Sequence, residues 1–253
     1  MKTQIRTKNP SAGPLRGIDL PFKSIVRLGS RTPLISCFKD IRGVIECNSI
    51  ESIENSRDKL RMKECFSKYD VPQAEWKSLV DPVPFNEFPL VGKAIVGFKG
   101  RGMVLINNEE ELRNFIKTHD NNRFFIERFY NYAREYRIHA TRDHAFLAWR
   151  KLRKSDVTER WFFNSSNCNW VNEEHELFSK PNNWSELENA AIVAVRSVGL
   201  DIGAVDIRVQ SRTNPNFIVC EVNSAPQLGE VGIIAYRNEI TKILINKHSK
   251  NER

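Results

Sequence analysis

Two apolar runs near the C-terminus, separated by a short polar segment, constrain the fold more than any other part of this sequence. Residues 202–209 and 217–222 are rich in β-branched side chains, and residues 211–216 between them are typical of a turn. This pattern predicts a β-hairpin. Because side chains alternate between the two faces of a strand, Glu221 and Asn223 are expected on one face of the second strand.

The same hairpin carries three oxygen-bearing side chains, namely Asp206 on the first strand and Glu221 and Asn223 on the second. Mg²⁺ prefers hard oxygen ligands and is usually held by one or two carboxylates together with substrate phosphates. The three residues therefore predict a Mg²⁺ site and point to nucleotide chemistry. The alternative is that Asp206 and Glu221 are simply solvent-facing strand residues, as most acids in strands are.

Length and composition indicate a globular protein. A chain of 253 residues, 40% hydrophobic and 28% charged, can form one sizeable core or two to three small subdomains. No stretch approaches about 18 consecutive apolar residues, so no segment is expected to span or bind a membrane. The first residues lack the apolar core of a signal peptide, and we expect a cytoplasmic protein.

The chain is basic, with a net charge of +8 and a pI near 9.3. Such a charge favours acidic partners, among them nucleotides, nucleic acid or an acidic polypeptide. Four of the cations precede the first acid, Asp19, in a segment that also contains two prolines and two glycines. We therefore predict that residues 1–19 form a basic, disordered tail, with a nucleic-acid contact as the alternative role.

Prolines and glycines suggest how the rest of the chain is divided. Residues 81–89 carry three prolines and are typical of a linker. We predict a short N-terminal domain over residues 20–83, a central subdomain over 84–130 and a C-terminal subdomain over 131–253.

The central subdomain contains a glycine-bearing loop. Gly97, Gly100 and Gly102 follow a predicted strand that carries Lys93. Glycines allow backbone amides to approach phosphate oxygens, and a lysine on the preceding strand adds positive charge for the same group. The loop lacks the GK[ST] sequence of a Walker loop, and most glycine spacings of this kind are ordinary hairpin turns.

The order of these parts resembles the ATP-grasp ligases, especially ribosomal-protein glutamate ligases and D-alanyl ligases. The series comprises Asp58-Lys59, the strand with Lys93, the glycine loop, a strand with Glu127, the segment REYR, and the hairpin trio. The resemblance covers about residues 25–247. It implies an α/β (α+β) protein with the ATP-grasp fold, in which two α+β subdomains clamp ATP, here with a shortened N-terminal domain.

The resemblance also implies roles for individual residues around ATP. Lys59 and Lys93 match the two family lysines that touch the phosphates. Residues 125–129 (FIERF), with Glu127, Arg128 and Phe129, match the hinge whose backbone groups read the adenine edge. Glu127 matches an adenine-side acid and Glu135 a ribose-binding acid, although Glu135 alone is equally consistent with an ion pair to Arg134 or Arg137.

Further cations and one amide are implied in catalysis and in holding the γ-phosphate and the substrate carboxylate. They are Arg137, Arg150, Lys151, Arg160 and Asn164. A guanidinium fork matches both anionic groups, and among these residues Arg137 and Arg150 are favoured. His139 is a candidate proton carrier, but a structural strand histidine is the better interpretation.

The implied function is an ATP- and Mg²⁺-dependent carboxylate–amine ligase that forms an amide bond through an acyl phosphate. Its partners would be a small-molecule or polypeptide carboxylate donor and an amine acceptor, one of them acidic. Ala204 stands where D-alanyl ligases have an arginine, which favours the glutamate-ligase side. The alternatives are a Mg²⁺-dependent nuclease, although Asn223 replaces the lysine that it needs, and a basic nucleic-acid-binding module.

Overall fold

The protein is described by a computed structural model that covers residues 3–8, 10–80, 87–97, 102–157, 161–162, 167–211, 213 and 216–252. The strands are β1 (Thr3–Thr7), β2 (Ser24–Leu28), β3 (Ile45–Cys47), β4 (Trp76–Ser78), β5 (Leu90–Ala94), β6 (Val104–Ile106), β7 (Phe124–Arg128), β8 (Arg134–Thr141), β9 (Ala145–Arg153), β10 (Cys168–Asn172), β11 (Ile202–Val209) and β12 (Phe217–Asn223). The helices are α1 (Ile50–Arg57), α2 (Lys59–Lys68), α3 (Glu109–Thr118), α4 (Trp184–Ser197) and α5 (Glu230–Asn251). None of the helices in these ranges is long and apolar enough to cross a membrane.

The strands form three sheets. The N-terminal sheet has the order β1-β2-β3, the central sheet β4-β7-β5-β6, and the C-terminal sheet β10-β9-β8-β11-β12. The C-terminal sheet is antiparallel throughout its pairs. Antiparallel pairs can bury one face and leave the other polar, and this sheet does so.

One face of the C-terminal sheet is apolar and packs against α4. Tyr136, Ile138, Val205 and Ile207 from β8 and β11 lie in one buried cluster with the apolar residues of α4. The register opposes Ile138 to Val205 and Tyr136 to Ile207. Since side chains alternate along a strand, the residues between them, among them Arg137 and Asp206, point to the opposite face.

The predicted hairpin is confirmed as the β11–β12 pair. Asp206 lies directly opposite Glu221, but Ile207 lies opposite Val219, so the register shifts between these pairs. Cys220 is the additional residue of this β-bulge. A bulge of one residue re-aims the side chains that follow it, and here it brings Glu221 level with Asp206.

The central sheet is packed on α3 through a small apolar cluster that contains Leu90, Ile106, Phe115 and Ile126. Gly92 of β5 faces α3 so closely that a Cβ atom at this position would lie 2.4 Å from the ring of Phe115. This contact fixes the strand that carries Lys93 against the helix.

Strand β4 belongs to the central sheet. Trp76–Ser78 pairs with β7, although the sequence placed these residues in a domain ending at residue 83. Helices α1 and α2 also lie elsewhere than expected, because Ile53, Met62 and Phe66 are buried in the α4 cluster of the C-terminal sheet. Residues of the predicted N-terminal domain therefore contribute to the packing of all three sheets.

The prediction of a disordered tail is wrong for the part of residues 1–19 that the structure describes. β1 pairs in parallel with β2, and Ala12, Leu15 and Ile18 are buried with Tyr236 of α5. The basic residues of this segment had suggested solvation, but the apolar residues between them supply enough buried surface to order it.

The region from Ser49 to Tyr69 forms two helices, α1 and α2. Asp58 adopts an extended conformation and its carboxylate accepts hydrogen bonds from the backbone N–H groups of Leu60 and Arg61. An aspartate at this position caps a new helix, and α2 therefore starts at Lys59. The break also directs Lys59 toward the loop after β5.

We expect Gly92→Ala to lower the free energy of unfolding by about 1–3 kcal/mol, because the added methyl group collides with Phe115 of α3. Gly13→Ala is the matched control, since a Cβ atom there meets nothing within 4 Å. Chemical denaturation of the two variants measures the difference. Equal stability of the two variants would contradict the packing described for α3.

Candidate active site

The polar face of the C-terminal sheet centres on Asp206, which is 3% exposed. Arg137 donates from Nε to Asp206 Oδ1 at 2.6 Å and from Nη2 to Oδ2 at 2.8 Å. Lys151 Nζ approaches the same Oδ2 to 3.2 Å. Burial by itself raises the pKa of Asp206, but the two cations hold it well below its ordinary value, so the carboxylate is ionised.

Glu135 extends this network on the same face. It accepts hydrogen bonds from Lys151 and, at 3.1 Å, from Arg208 Nε. The register explains the arrangement, since Glu135 is opposite Lys151 on β9 and opposite Arg208 on β11. The predicted alternative pairing of Glu135 with Arg134 or Arg137 is therefore wrong, although an ion pair is formed.

Two aromatic rings cover the cations of this network. The Trp170 ring lies 4.7 Å from Arg137 Cζ and 4.9 Å from Lys151 Nζ, measured to the ring centroid. The Tyr132 ring lies 4.1 Å from Arg208 Cζ. Such contacts are attractive and hold the cations in place.

Helix α5 closes the far end of the polar face. The Tyr236 hydroxyl lies 3.0 Å from His139 Nδ1, and both residues are buried. Burial, with a smaller effect of Arg137, lowers the pKa of His139 to about 3. His139 is therefore neutral at physiological pH and has the structural role that the sequence favoured.

The predicted metal ligands are neighbours on the β11–β12 hairpin. Asp206 is paired with Glu221 across the hairpin, and Asn223 Nδ2 donates to Glu221 Oε1 at 3.2 Å. Among the described residues, no group of three His, Cys, Asp or Glu side chains could hold a metal ion, so the amide oxygen of Asn223 would be the third ligand. Two carboxylates and an amide oxygen fit the preference of Mg²⁺.

A second buried cluster lies on the central sheet, around Glu127. Lys93 donates to Glu127 Oε1, and Lys63 Nζ of α2 lies 3.1 Å from Oε2. Burial raises the pKa of Glu127, but the two lysines outweigh it and bring the pKa down to about 2. The carboxylate predicted to meet adenine is thus engaged by lysines.

Cys220 lies near charged residues of both clusters. Burial raises the pKa of this thiol to about 11, and the charges that act on it come from both sheets. They are Arg208 and Glu135 of the C-terminal sheet and Lys93 and Glu127 of the central sheet. The bulge residue is therefore within electrostatic range of both clusters.

The loop after β5 is held by the start of α2. Lys59 donates from its backbone N–H to the Ile95 carbonyl and from Nζ to the Gly97 carbonyl, both at 3.0 Å. Gly102 has a φ of +75°, which favours glycine. Gly100 lies outside the described residues.

The predicted hinge at the end of β7 has some of its backbone donors already bonded. The Arg128 N–H donates to the Glu75 carbonyl at 2.8 Å, and the Phe129 N–H donates to the Pro89 carbonyl at 3.1 Å. The Arg128 side chain forms an exposed ion pair with Glu87. Those two amide groups are therefore not available to a ligand in this conformation.

Arg150 is not brought to the site. It lies opposite Tyr136, on the face that packs against α4, and donates to the Leu177 carbonyl at 2.7 Å and to Ser179 Oγ at 3.0 Å. Because neighbouring residues of a strand point to opposite faces, placing both Arg150 and Lys151 at one site was wrong. Arg160 and Asn164 lie outside the described residues.

The sequence interpretation missed Lys63, Arg208, Trp170 and Tyr132. A signal existed for two of them, since Arg208 follows Asp206 by two residues on a strand and Lys63 follows Lys59 by four on a helix. Trp170 had none, because a single tryptophan more often packs a core or a loop than contacts a charged site. Tyr132 lies in a loop, where spacing along the sequence does not predict which way a side chain points.

A cavity of about 500 Å³ lies elsewhere, at the far end of β8. Its lining includes Thr141, Arg142, Asp201 and Lys247. None of the predicted site residues contributes to it. We therefore place the candidate active site at the two charged clusters and not in this cavity.

Comparison with known proteins agrees with the fold implied by the sequence. The model of the RimK-like ATP-grasp domain matches residues 68–245, which is more than half of the chain. No curated protein sequence matches. Both the family resemblance and the predicted fold class are confirmed.

Solved structures of ligases have similar folds at low identity. D-alanine–D-alanine ligase from Bacillus anthracis, complexed with ATP, is 14% identical with a TM-score of 0.65, over 98% of this chain and 96% of that one. Carboxyaminoimidazole ribonucleotide synthase from Aspergillus clavatus, complexed with ATP, is 16% identical with a TM-score of 0.59, over 87% of this chain and 62% of that one. The D-Ala:D-Ser ligase from Enterococcus faecalis has 14% identity and a TM-score of 0.61, over 91% and 74%.

We expect acid to destabilise the protein partly through Glu127. Its pKa lies at about 2 in the fold against an ordinary value of 4.5, so its ion pairs stabilise the fold above pH 4.5. This contribution, about 3 kcal/mol, is lost as the pH falls from about 4.5 to 2.

Glu127→Gln should therefore be less stable at neutral pH and should show a flatter dependence of the unfolding free energy on pH below 4.5. Denaturation titrations from pH 7 to pH 2 measure this dependence. Glu64→Gln, at an exposed position of α2, is the control and should follow the original protein. A Glu127→Gln curve parallel to the control would contradict the assigned ion pairs.

Proposed function

The chain belongs to the RimK-like ATP-grasp family of ADP-forming carbon–nitrogen ligases, and we propose that it joins a carboxylate to an amine through an acyl phosphate. It is an ATP-dependent ligase by family, and the proposal concerns its intermediate, its site residues and its substrates. The observation that carries the proposal is the pair of buried charged clusters, one around Asp206 on the C-terminal sheet and one around Glu127 on the central sheet.

The proposed reaction has two steps. A carboxylate oxygen attacks the γ-phosphorus of ATP, the bond to the β-phosphate oxygen breaks, and ADP leaves. The amine nitrogen then attacks the carbonyl carbon of the acyl phosphate, phosphate leaves, and the nitrogen loses a proton. No covalent bond to the protein is needed, so the protein contributes positioning and neutralisation of charge.

Lysines of the central cluster are suited to the nucleotide phosphates. Lys93 precedes the loop after β5 in the chain, Lys59 contacts its Gly97 carbonyl, and each lysine is tied to an acceptor that a phosphate oxygen can replace. Lys93 now pairs with Glu127, and Lys59 with the Gly97 carbonyl. Gly97 and Gly102 have no side chain that would block a phosphate from their own backbone groups.

Asp206, Glu221 and Asn223 would hold Mg²⁺, which supplies charge neutralisation for the phosphates when it is bound. Both oxygens of Asp206 now contact cations, Arg137 at 2.6 and 2.8 Å and Lys151 at 3.2 Å. We propose that Arg137 and Lys151 then turn toward the transferred phosphoryl group and the substrate carboxylate. A guanidinium fork is suited to either group.

The substrates that we propose are a small-molecule or polypeptide carboxylate and an amine, with one of the two acidic. The net charge of +8 supports an acidic partner, and Ala204 supports the glutamate-ligase side of the family. A cytoplasmic location stays a prediction. The nuclease alternative gains no support, because Asn223 bonds to Glu221 at the position where a nuclease needs a lysine.

ATP with Mg²⁺ should raise the melting temperature, because a ligand that binds only the native state stabilises it. At 100 times the dissociation constant the gain in unfolding free energy is about 2.7 kcal/mol. Thermal unfolding with ATP, with Mg²⁺ alone and with both measures the effect. No shift at millimolar ATP and Mg²⁺ would contradict nucleotide binding.

Glu221→Gln should abolish ATP-dependent phosphate release and change the unfolding free energy by less than about 1 kcal/mol, since Glu221 is half-buried and bonded to Asn223 alone among its recorded partners. A screen of amino acids and acidic peptides with ATP and Mg²⁺ supplies the substrate for the assay. Glu230→Gln, exposed at the start of α5, is the control. Full turnover by Glu221→Gln would rule out its role in holding Mg²⁺.

A further inference from the structure

Lys63 is a buried cation that neither the sequence interpretation nor the family match assigns to the site. It lies in the second turn of α2, before residue 68 where the family match begins, and is only 1% exposed. Its Nζ lies 3.1 Å from Glu127 Oε2 without the geometry of a hydrogen bond, and it has no other recorded hydrogen-bond partner. Burying an ammonium group is costly in free energy unless a counter-ion or hydrogen bonds compensate it, so a role for Lys63 has to be sought.

The cluster of Lys63, Lys93 and Glu127 carries an excess of one positive charge. All three side chains are buried, with exposures of 1%, 8% and 3%. One carboxylate neutralises one ammonium group, which leaves the equivalent of one buried cation without a counter-ion in the cluster. An anion that enters beside the cluster would remove this imbalance, and a phosphate is such an anion.

The two lysines are placed for different tasks. Lys93 lies on β5 just before the glycine loop and donates a hydrogen bond to Glu127 Oε1. Lys63 projects from α2 between the core residues Met62 and Phe66 of the same helix, and it touches the other oxygen of Glu127. If Lys93 turns to a phosphate, Lys63 remains to neutralise Glu127.

We propose that Lys63 is a positioning residue that keeps Glu127 neutralised and so releases Lys93 to bind a phosphate oxygen of the nucleotide. This proposal rests on the proposed function, because it assumes that ATP binds beside the glycine loop. Lys63 itself does not touch the nucleotide. Without Lys63, Glu127 would retain Lys93 as its sole cation, and the site would lose both its excess charge and its mobile lysine.

Lys63→Met should weaken ATP binding about tenfold while leaving adenosine binding within about twofold, because adenosine has no phosphate to meet Lys93. Calorimetric titration of both compounds measures the ratio of the two affinities. Lys68→Met, at an exposed position of the same helix, is the control and should leave both affinities unchanged. An equal loss of ATP and adenosine binding would mean a merely structural role and overturn the proposal.

The Glu127→Gln background separates positioning from direct contact. There Lys93 is already released, so Lys63→Met should alter ATP affinity less than about threefold. A tenfold loss in this background would show direct contact of Lys63 with the phosphates and overturn the proposal. Lys63→Arg, which keeps the charge, should retain ATP affinity within about threefold in the original background.

If Lys63→Met does not fold, Lys63→Gln replaces it, since its polar amide is easier to bury beside Glu127 but carries no charge, and the same fall in ATP affinity is expected. Failure of the two proposals can be told apart. Absence of ATP binding by the unmodified protein overturns both. If the unmodified protein binds ATP, and the Lys63 variants leave the ratio of ATP affinity to adenosine affinity unchanged, only the proposed role of Lys63 is overturned.

Discussion

The buried pairing of Asp206 with Arg137 and Lys151 is the interaction on which the rest of the site depends. Three strands converge on it, since Asp206 belongs to β11, Arg137 to β8 and Lys151 to β9. Buried ion pairs contribute little net stability, because desolvation offsets most of their attraction. Losing one partner is nevertheless destabilising, since it leaves an unpaired buried charge. The pairing therefore imposes a requirement that these strands keep their register. It also keeps the carboxylate ionised, the state in which it can hold a metal ion.

The two faces of the C-terminal sheet have different roles: one packs the hydrophobic core and the other carries the charged residues of the candidate site. The α4 face buries Tyr136, Ile138, Val205 and Ile207, and most of the hydrophobic gain of this sheet comes from it. The other face is left to charged residues, and α5 meets it at the far end, where Tyr236 contacts His139 of β8. The bulge at Cys220 then sets Glu221 beside Asp206. A small irregularity thus brings the two carboxylates together without disturbing the packed face.

The N-terminal segment ties the layers together through Asn48, which is fully buried and has a φ of 60°. Its side chain accepts from the backbone N–H groups of Asp201 and Ile202 and donates to the carbonyls of Arg27 and Ile202. β2 is thereby fixed to the start of β11. On the other side Lys59 fixes α2 to the loop after β5. These polar contacts position the two charged clusters, and they connect residues far apart in the chain.

The sequence by itself determined the parts of the protein that depend on local pattern. Alternation and turn residues gave the β11–β12 hairpin with Glu221 and Asn223 on one face, and the order of motifs gave the fold. What spacing could not decide was which face of β9 meets the site, and Arg150 was misplaced for that reason. Nor could it show that Lys63 pairs with Glu127, since α2 and β7 meet only in the folded chain. Local periodicity sets which residues share a face, whereas the partners of each buried charge are chosen by the packing of distant elements.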